Sequence, residues 1–176
     1  INMAAMVGMA FIFGVILGTG LPPAPVYILV AIVIAGPFIK VGVNPWVVHF
    51  FAFFIGVFGE LTPPTSITAA ITSKIAGASF YTTLWRSVQI CVSLFTLMIA
   101  VFVHPELVIE PGLNQMFAAF LVMTCTIGIT FTLQATYSET RSVDLGVRFV
   151  LAAMSLYILF SQDDLIATIV SFGVIA

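Results

Sequence analysis

The stretch that decides the fold is Gly56-Val57-Phe58-Gly59-Glu60-Leu61-Thr62-Pro63-Pro64-Thr65-Ser66. It joins two apolar runs, and its paired prolines lack N–H donors and clash with the preceding turn, so no regular helix continues through it. A second stretch, Gly18-Thr19-Gly20-Leu21-Pro22-Pro23, breaks the first apolar run in the same way. Around the two breaks the pattern predicts four half-length helices, roughly residues 3–17, 24–39, 46–60 and 66–76. At about 11–16 residues each, they fall short of the ~20 needed to cross a hydrocarbon core of ~30 Å.

The composition says which solvent these breaks face. Of 176 residues, 61% are apolar and 7% are Asp, Glu, Lys or Arg, and the mean hydropathy is +1.23. A soluble domain carries about 25% charged residues. Five basic and seven acidic side chains cannot coat a globule of 18.9 kDa, which argues against an aqueous monomer, a nucleic-acid binder and a disordered chain. The reading is an all-α integral membrane protein. In hydrocarbon the carbonyls freed at a break find no partner in lipid, so such breaks persist only where protein buries them or where they line a polar cavity. Paired interrupted segments point to a transporter's binding site.

Further along, residues 81–103 and 115–134 are full-length transmembrane segments, and residues 145–160 form a third with Arg148 near its start, placed to snorkel to the headgroups. Residues 165–176 make a shorter final run. The expected division is a transport region over 1–104, with a hairpin at 3–39, a broken helix at 46–77 and a transmembrane helix at 81–103, followed by C-terminal transmembrane helices over 105–176. The opening Ile-Asn-Met has no basic leader, and the last residues have no polar tail, so the chain reads as a fragment with sequence missing on both sides.

Basic residues concentrate in cytoplasmic loops. If residues 46–76 cross once, Lys74, Arg86, Arg141 and Arg148 share one side, read as cytoplasmic, while Glu106 and Glu110 lie opposite with no Lys or Arg near them. The pair 3–17 and 24–39 then reads as a re-entrant hairpin entering from the outer side, with a broken through-span as the alternative.

Glu60 closes an apolar helix roughly 22 Å from its start at Trp46. A carboxylate at that depth suggests an ion pathway or a partner charge. It also suits the N-terminus of the next half-helix, where the dipole favours negative charge. Thr62, Thr65, Ser66 and Thr68 supply oxygens around the break, as do the freed carbonyls of residues 60–63 and 17–20. Sodium, a hard cation, favours such oxygen cages, and half-helix N-termini at Ala24 and Ser66 present positive dipole ends to an anion. The competing role for each hydroxyl is a bond back to its own helix.

His49 and His104 lack a second ligand at metal-binding spacing, so they read as packing and interfacial residues, and Cys91 and Cys125 read as buried thiols. No Gly-x-Ser-x-Gly, His-Glu-x-x-His or phosphate-binding loop is present, and no enzyme or organic cofactor is expected.

Taken with their spacing, Gly18-Thr19-Gly20-Leu21-Pro22 with Tyr27, then Gly42-Val43-x-Pro45, His49-Phe50, Gly56 to Pro64 and Ile75-Ala76-Gly77-Ala78 resemble the membrane permease of tripartite ATP-independent periplasmic (TRAP) transporters, most closely the fused permease associated with TAXI-type binding proteins. The resemblance covers about residues 5–105. It implies half of an elevator-type inverted-repeat transporter: a re-entrant helical hairpin and a discontinuous helix, followed by three to four transmembrane helices. It further implies sodium coupling, uptake of a small anionic organic solute such as a carboxylate, and delivery by a periplasmic solute-binding protein. The other implied partners are the first repeat and small-subunit region of the same permease and membrane lipid; nucleic acid is not one. Carried over by position, the sodium and substrate region falls on Gly18, Thr19, Gly20, Leu21, Pro22, Glu60, Thr62, Pro63, Pro64, Thr65 and Ser66. Thr19 and Pro23 stand where the family more usually has Met and Thr, and Thr65-Ser66 replaces an apolar or small pair. A different elevator-type anion transporter and a non-transporting membrane scaffold are the two other classes compatible with the residues.

Overall fold

The computed structural model describes residues 2–61, 66–109, 111–161 and 163–175. Among these residues the chain is helical with no strand, and it divides into two compact units, one ending at Cys91 and one beginning at Val92.

The first unit holds α1 (Met3–Gly18), α2 (Pro23–Lys40), α3 (Pro45–Leu61), α4 (Ile67–Ala76) and α5 (Phe80–Ile90). Each start has a local cause. The Asn2 side chain accepts the Ala4 amide at 3.0 Å, and Pro23 and Pro45 occupy first-turn positions where a missing N–H costs nothing. The Ser66 hydroxyl accepts the Ala69 amide at 3.0 Å and so caps α4, which ends on Gly77 with φ at 62°, a conformation only glycine adopts without strain.

Helix α2 corrects the sequence expectation of a half-length element. It runs for 18 residues and is long and apolar enough to cross a membrane by itself, because Pro23 and Pro25 fall in its first turn and extend the helix instead of breaking it. Pro37 lies inside the helix near its end and only withholds one hydrogen bond there. The core forms where Val26, Val30, Ile34 and Phe38 of α2, spaced by four, meet Val48, Phe51, Ala52 and Ile55 of α3. All eight are buried, and burying a side chain of the Val or Ile class contributes roughly 1.5–3 kcal/mol.

The stretch Phe80–Val103 is a candidate span, as expected, but α5 gives way to α6 (Ser93–Val103) through a turn at Cys91 and Val92. Thr83 and Ser87 each donate to the carbonyl four residues back, a pattern that bends helices, and the turn follows directly.

The second unit contains α6, the short α7 (Glu106–Ile109), α8 (Leu113–Gln134), α9 (Arg141–Phe160) and α10 (Asp164–Ile175). Helices α8 and α9 are candidate spans. Their core is Ala100, Leu121, Val122, Cys125, Ile158, Leu159 and Ala167. Thr124, Thr126, Thr130 and Thr132 all donate to carbonyls four residues earlier, which is how an apolar helix carries a ladder of hydroxyls without orphaned donors.

Arg148 lies two turns into α9, which begins at Arg141, ahead of the expected start at residue 145; its Nε is 2.8 Å from Asp144 Oδ2 and its Nη1 donates to the Thr132 carbonyl of α8 at 3.4 Å. His104 is buried, with a relative exposure of 8%, as its packing reading requires.

Candidate functional site

The site is assembled by glycines that let helix backbones touch. A Cβ placed on Gly18 would stand 2.4 Å from the Gly59 Cα, and one on Gly59 would stand 2.8 Å from the Gly18 Cα. Gly56 works the same way against α2, since a Cβ there would meet the Pro23 carbonyl oxygen at 2.8 Å. The end of α1 and the start of α2 therefore bracket the last two turns of α3, and the tip between them, residues 19–22, sits beside the helix that leads into the second break. Gly14 belongs to the same seam, because a Cβ on it would clash with the Ile55 side chain. The sequence reading missed Gly14, although Gly14-x-x-x-Gly18 is the spacing that brings membrane helices into close contact.

On the far side of the second break, the Thr68 hydroxyl donates to Glu60 Oε1 at 2.6 Å. The bond is short, as expected for a hydroxyl on a carboxylate. Thr68 is the second residue of α4, so the Glu60 carboxylate stands near the positive end of that helix's dipole. The acid thereby ties the end of α3 to the first turn of α4, whose N-cap is Ser66. Half-buried, it retains oxygen lone pairs for a further partner.

The remaining candidates divide. Gly18 is buried, as is Ser66, whose hydroxyl caps α4. The Thr19 hydroxyl donates back to the Ile16 carbonyl at 2.7 Å, the competing role for such a group, and the Leu17 carbonyl accepts the Gly20 amide at 3.3 Å. Gly20 and Pro22 are exposed and Leu21 is partly so. Thr62, Pro63, Pro64 and Thr65 lie outside the described residues. Among the described residues, no hydrogen bond joins residues 19–22 to Glu60 or Ser66.

The N-termini of α2 and α4 differ in the amides they offer. Pro23 and Pro25 carry no N–H, and the Val26 amide is bonded to the Pro22 carbonyl, which leaves Ala24 as the one available amide in the first turn of α2. In α4, Ile67 and Thr68 both keep amides without a partner among the described residues.

Behind the tip, the Tyr27 hydroxyl lies 3.0 Å from His49 Nδ1, linking α2 to α3. His49 is therefore a bonded residue of the helix interface, and a groove of about 260 Å³ lined by Tyr27, Trp46, His49, Phe50 and Phe53 opens beside it. Neither residue is part of the candidate sodium and substrate set. Their positions in the Tyr27 and His49-Phe50 motifs were the available signal.

Among the described residues, four stretches long and apolar enough to cross a membrane, α2, the α5–α6 stretch Phe80–Val103, α8 and α9, define a multi-pass, all-α integral membrane protein. The family model for the tripartite ATP-independent periplasmic transporter, DctM component, matches residues 2–107, more than half of the chain, and the chain belongs to that family. It is thus a TRAP transporter permease component, of a family that transports and works with a periplasmic binding protein and other subunits. No curated protein and no solved structure matches the chain.

Proposed function

We propose that this chain is the second inverted repeat, with its C-terminal helices, of a sodium-coupled permease that imports a small anionic organic solute, such as a carboxylate, delivered by a periplasmic solute-binding protein. The observation that carries the reading is the backbone contact between Gly18 and Gly59, which holds the tip of one break beside the helix leading into the other. Oxygens that neither break can satisfy alone then share one region. The proposed sodium and substrate region comprises Gly18, Thr19, Gly20, Leu21, Pro22, Glu60, Thr62, Pro63, Pro64, Thr65 and Ser66, with sodium as the coupling ion.

Within that region the α4 N-terminus is the better anion cradle, because among the described residues its first two amides have no partner, where α2 offers one such amide. Glu60 supplies the negative charge for a cation next to it. The permease lies in the cytoplasmic membrane with Lys74, Arg86 and Arg141 on the cytoplasmic side, and the hairpin is re-entrant from the periplasmic side.

The test is solute uptake into proteoliposomes by the full-length permease with its binding protein, as a function of sodium. Glu60→Gln keeps shape and hydrogen bonding but removes charge. Uptake weakened most at low sodium supports the reading, and an unchanged sodium dependence rejects Glu60 as a cation partner.

A further inference from the structure

His104 lies just past α6, and both of its ring nitrogens face acceptors. Nε2 is 3.0 Å from the backbone oxygen of Leu159, and Nδ1 is 3.0 Å from Glu106 Oε1. A backbone carbonyl only accepts, so Nε2 must carry hydrogen. A neutral imidazole has a single N–H, and it is used there. The contact between Nδ1 and an ionised Glu106 would then set lone pair against lone pair. It becomes a hydrogen bond only with one more proton, either on Nδ1, giving an imidazolium beside a carboxylate, or on Oε1, giving a carboxylic acid that donates to the ring.

We infer that His104 and Glu106 form a proton-binding site that holds one proton beyond those of a neutral imidazole and an ionised carboxylate, and that this proton joins the ring to Glu106 of α7 while the Nε2–H bond ties the end of α6 to the end of α9. Two surroundings favour the extra positive charge. Leu159 is the penultimate residue of α9, so its carbonyl is one of the last four that lack an intrahelical partner and lies at the negative end of the dipole. Glu106 supplies a full negative charge on the other side of the ring.

Among the described residues, other charges around the site are sparse. Among the described residues, α6 and α8 contain no Asp, Glu, Lys, Arg or His, Cys125 being the only ionisable group of α8. Glu106 is the acid of α7. In α9, Arg141, Asp144 and Arg148 lie in the first half, at least 11 residues and so roughly 16 Å along the axis from Leu159, while Tyr157 is 44% exposed. Asp163, between α9 and α10, is occupied in accepting the Leu165 and Ile166 amides, and Asp164 opens α10. The sign follows: the His104–Glu106 bond is complete with the proton bound and is lost as alkalinity removes it, when Nδ1 and Oε1 both present lone pairs and the exposed end of Glu106 can turn to water, while the Nε2–H bond to Leu159 stays. This inference does not depend on the solute or sodium reading.

The test uses the full-length permease in lipid nanodiscs, labelled with nitrogen-15 in its histidine rings and carbon-13 in its glutamate carboxyls. Subtraction of the His104→Gln spectrum assigns His104, and that of the Glu106→Gln spectrum assigns Glu106. At neutral pH the expected result is a protonated His104 Nδ1 or an un-ionised Glu106 carboxyl, with Nε2 protonated in either case, and loss of the extra proton on alkalinisation. In Glu106→Gln the side-chain amide donates to Nδ1, so the ring should be neutral with Nδ1 bare at that same neutral pH. A bare Nδ1 together with an ionised Glu106 in the unmodified protein at neutral pH would overturn the inference, and that spectrum decides even if Glu106→Gln fails to fold.

Discussion

The α carbons of Gly18 and Gly59 face each other so closely that neither position has room for a methyl group. This contact makes α1 and α3 a single packed element at the point where both are about to break, and it is the hinge of the proposed site. Alanine at Gly18 should gain up to about 1 kcal/mol of helix propensity and lose more to the backbone clash, for a net destabilisation of roughly 1–3 kcal/mol. Gly20→Ala is the control, because a Cβ there meets nothing within 4 Å. Thermal unfolding of the purified permease should show a clear drop for Gly18→Ala and little change for Gly20→Ala. Equal behaviour of the two would mean that the close approach does not hold the tip in place.

The hydroxyl of Thr68 on Glu60 ties α4 to α3 across the second break. Thr68→Val keeps the volume and removes the donor. A hydrogen bond to a charged group contributes about 1.5–3 kcal/mol, reduced here because the pair is partly exposed. Combined with Glu60→Gln in a double-mutant cycle on unfolding, the two substitutions should be non-additive, and strict additivity would show that the bond contributes nothing.

Thr62→Val addresses coordination instead of stability. Removing one sodium-ligating oxygen should raise the sodium concentration for half-maximal uptake about tenfold if that ligand contributes ~1.4 kcal/mol, with expression and insertion near normal. If neither Thr62→Val nor Glu60→Gln alters sodium dependence, the break belongs to packing or to a gate.

Tyr27→Phe deletes the hydroxyl that reaches His49 Nδ1 and leaves the ring in place. The expected cost is about 0.5–1.5 kcal/mol of stability, read as a lower unfolding temperature. Unchanged solute and sodium dependence would place the pair in the scaffold, whereas a changed solute affinity would extend the substrate region toward the aromatic groove.

Topology rests on the charge asymmetry between Lys74, Arg86 and Arg141 on one side and Glu106 and Glu110 on the other. A cysteine introduced as Val108→Cys in a permease whose native Cys91 and Cys125 are replaced should react with a membrane-impermeant thiol reagent from the periplasmic side. Labelling only from the cytoplasmic side would invert the assignment.

Some of this was legible residue by residue. Hydropathy, the missing N–H of proline and the capping oxygens of Asn2 and Ser66 act within a few residues of their own position, so the membrane class and the existence of most helices follow from local chemistry, while the full length of α2 and the turn at Cys91 and Val92 did not. The motifs that resemble TRAP permeases are local in the same sense, and the family match over residues 2–107 agrees with them. Tertiary structure alone decided the rest. Gly18 meets Gly59 across 41 positions of sequence, and His104 reaches Leu159 across 55. No periodicity encodes such pairs, because they depend on which helix faces pack. The Leu159 carbonyl that meets His104 depends on that packing, whereas Asp144 beside Arg148 and Glu106 beside His104 lie within four residues of their partners and are local pairs of the kind a helix face or a turn brings together.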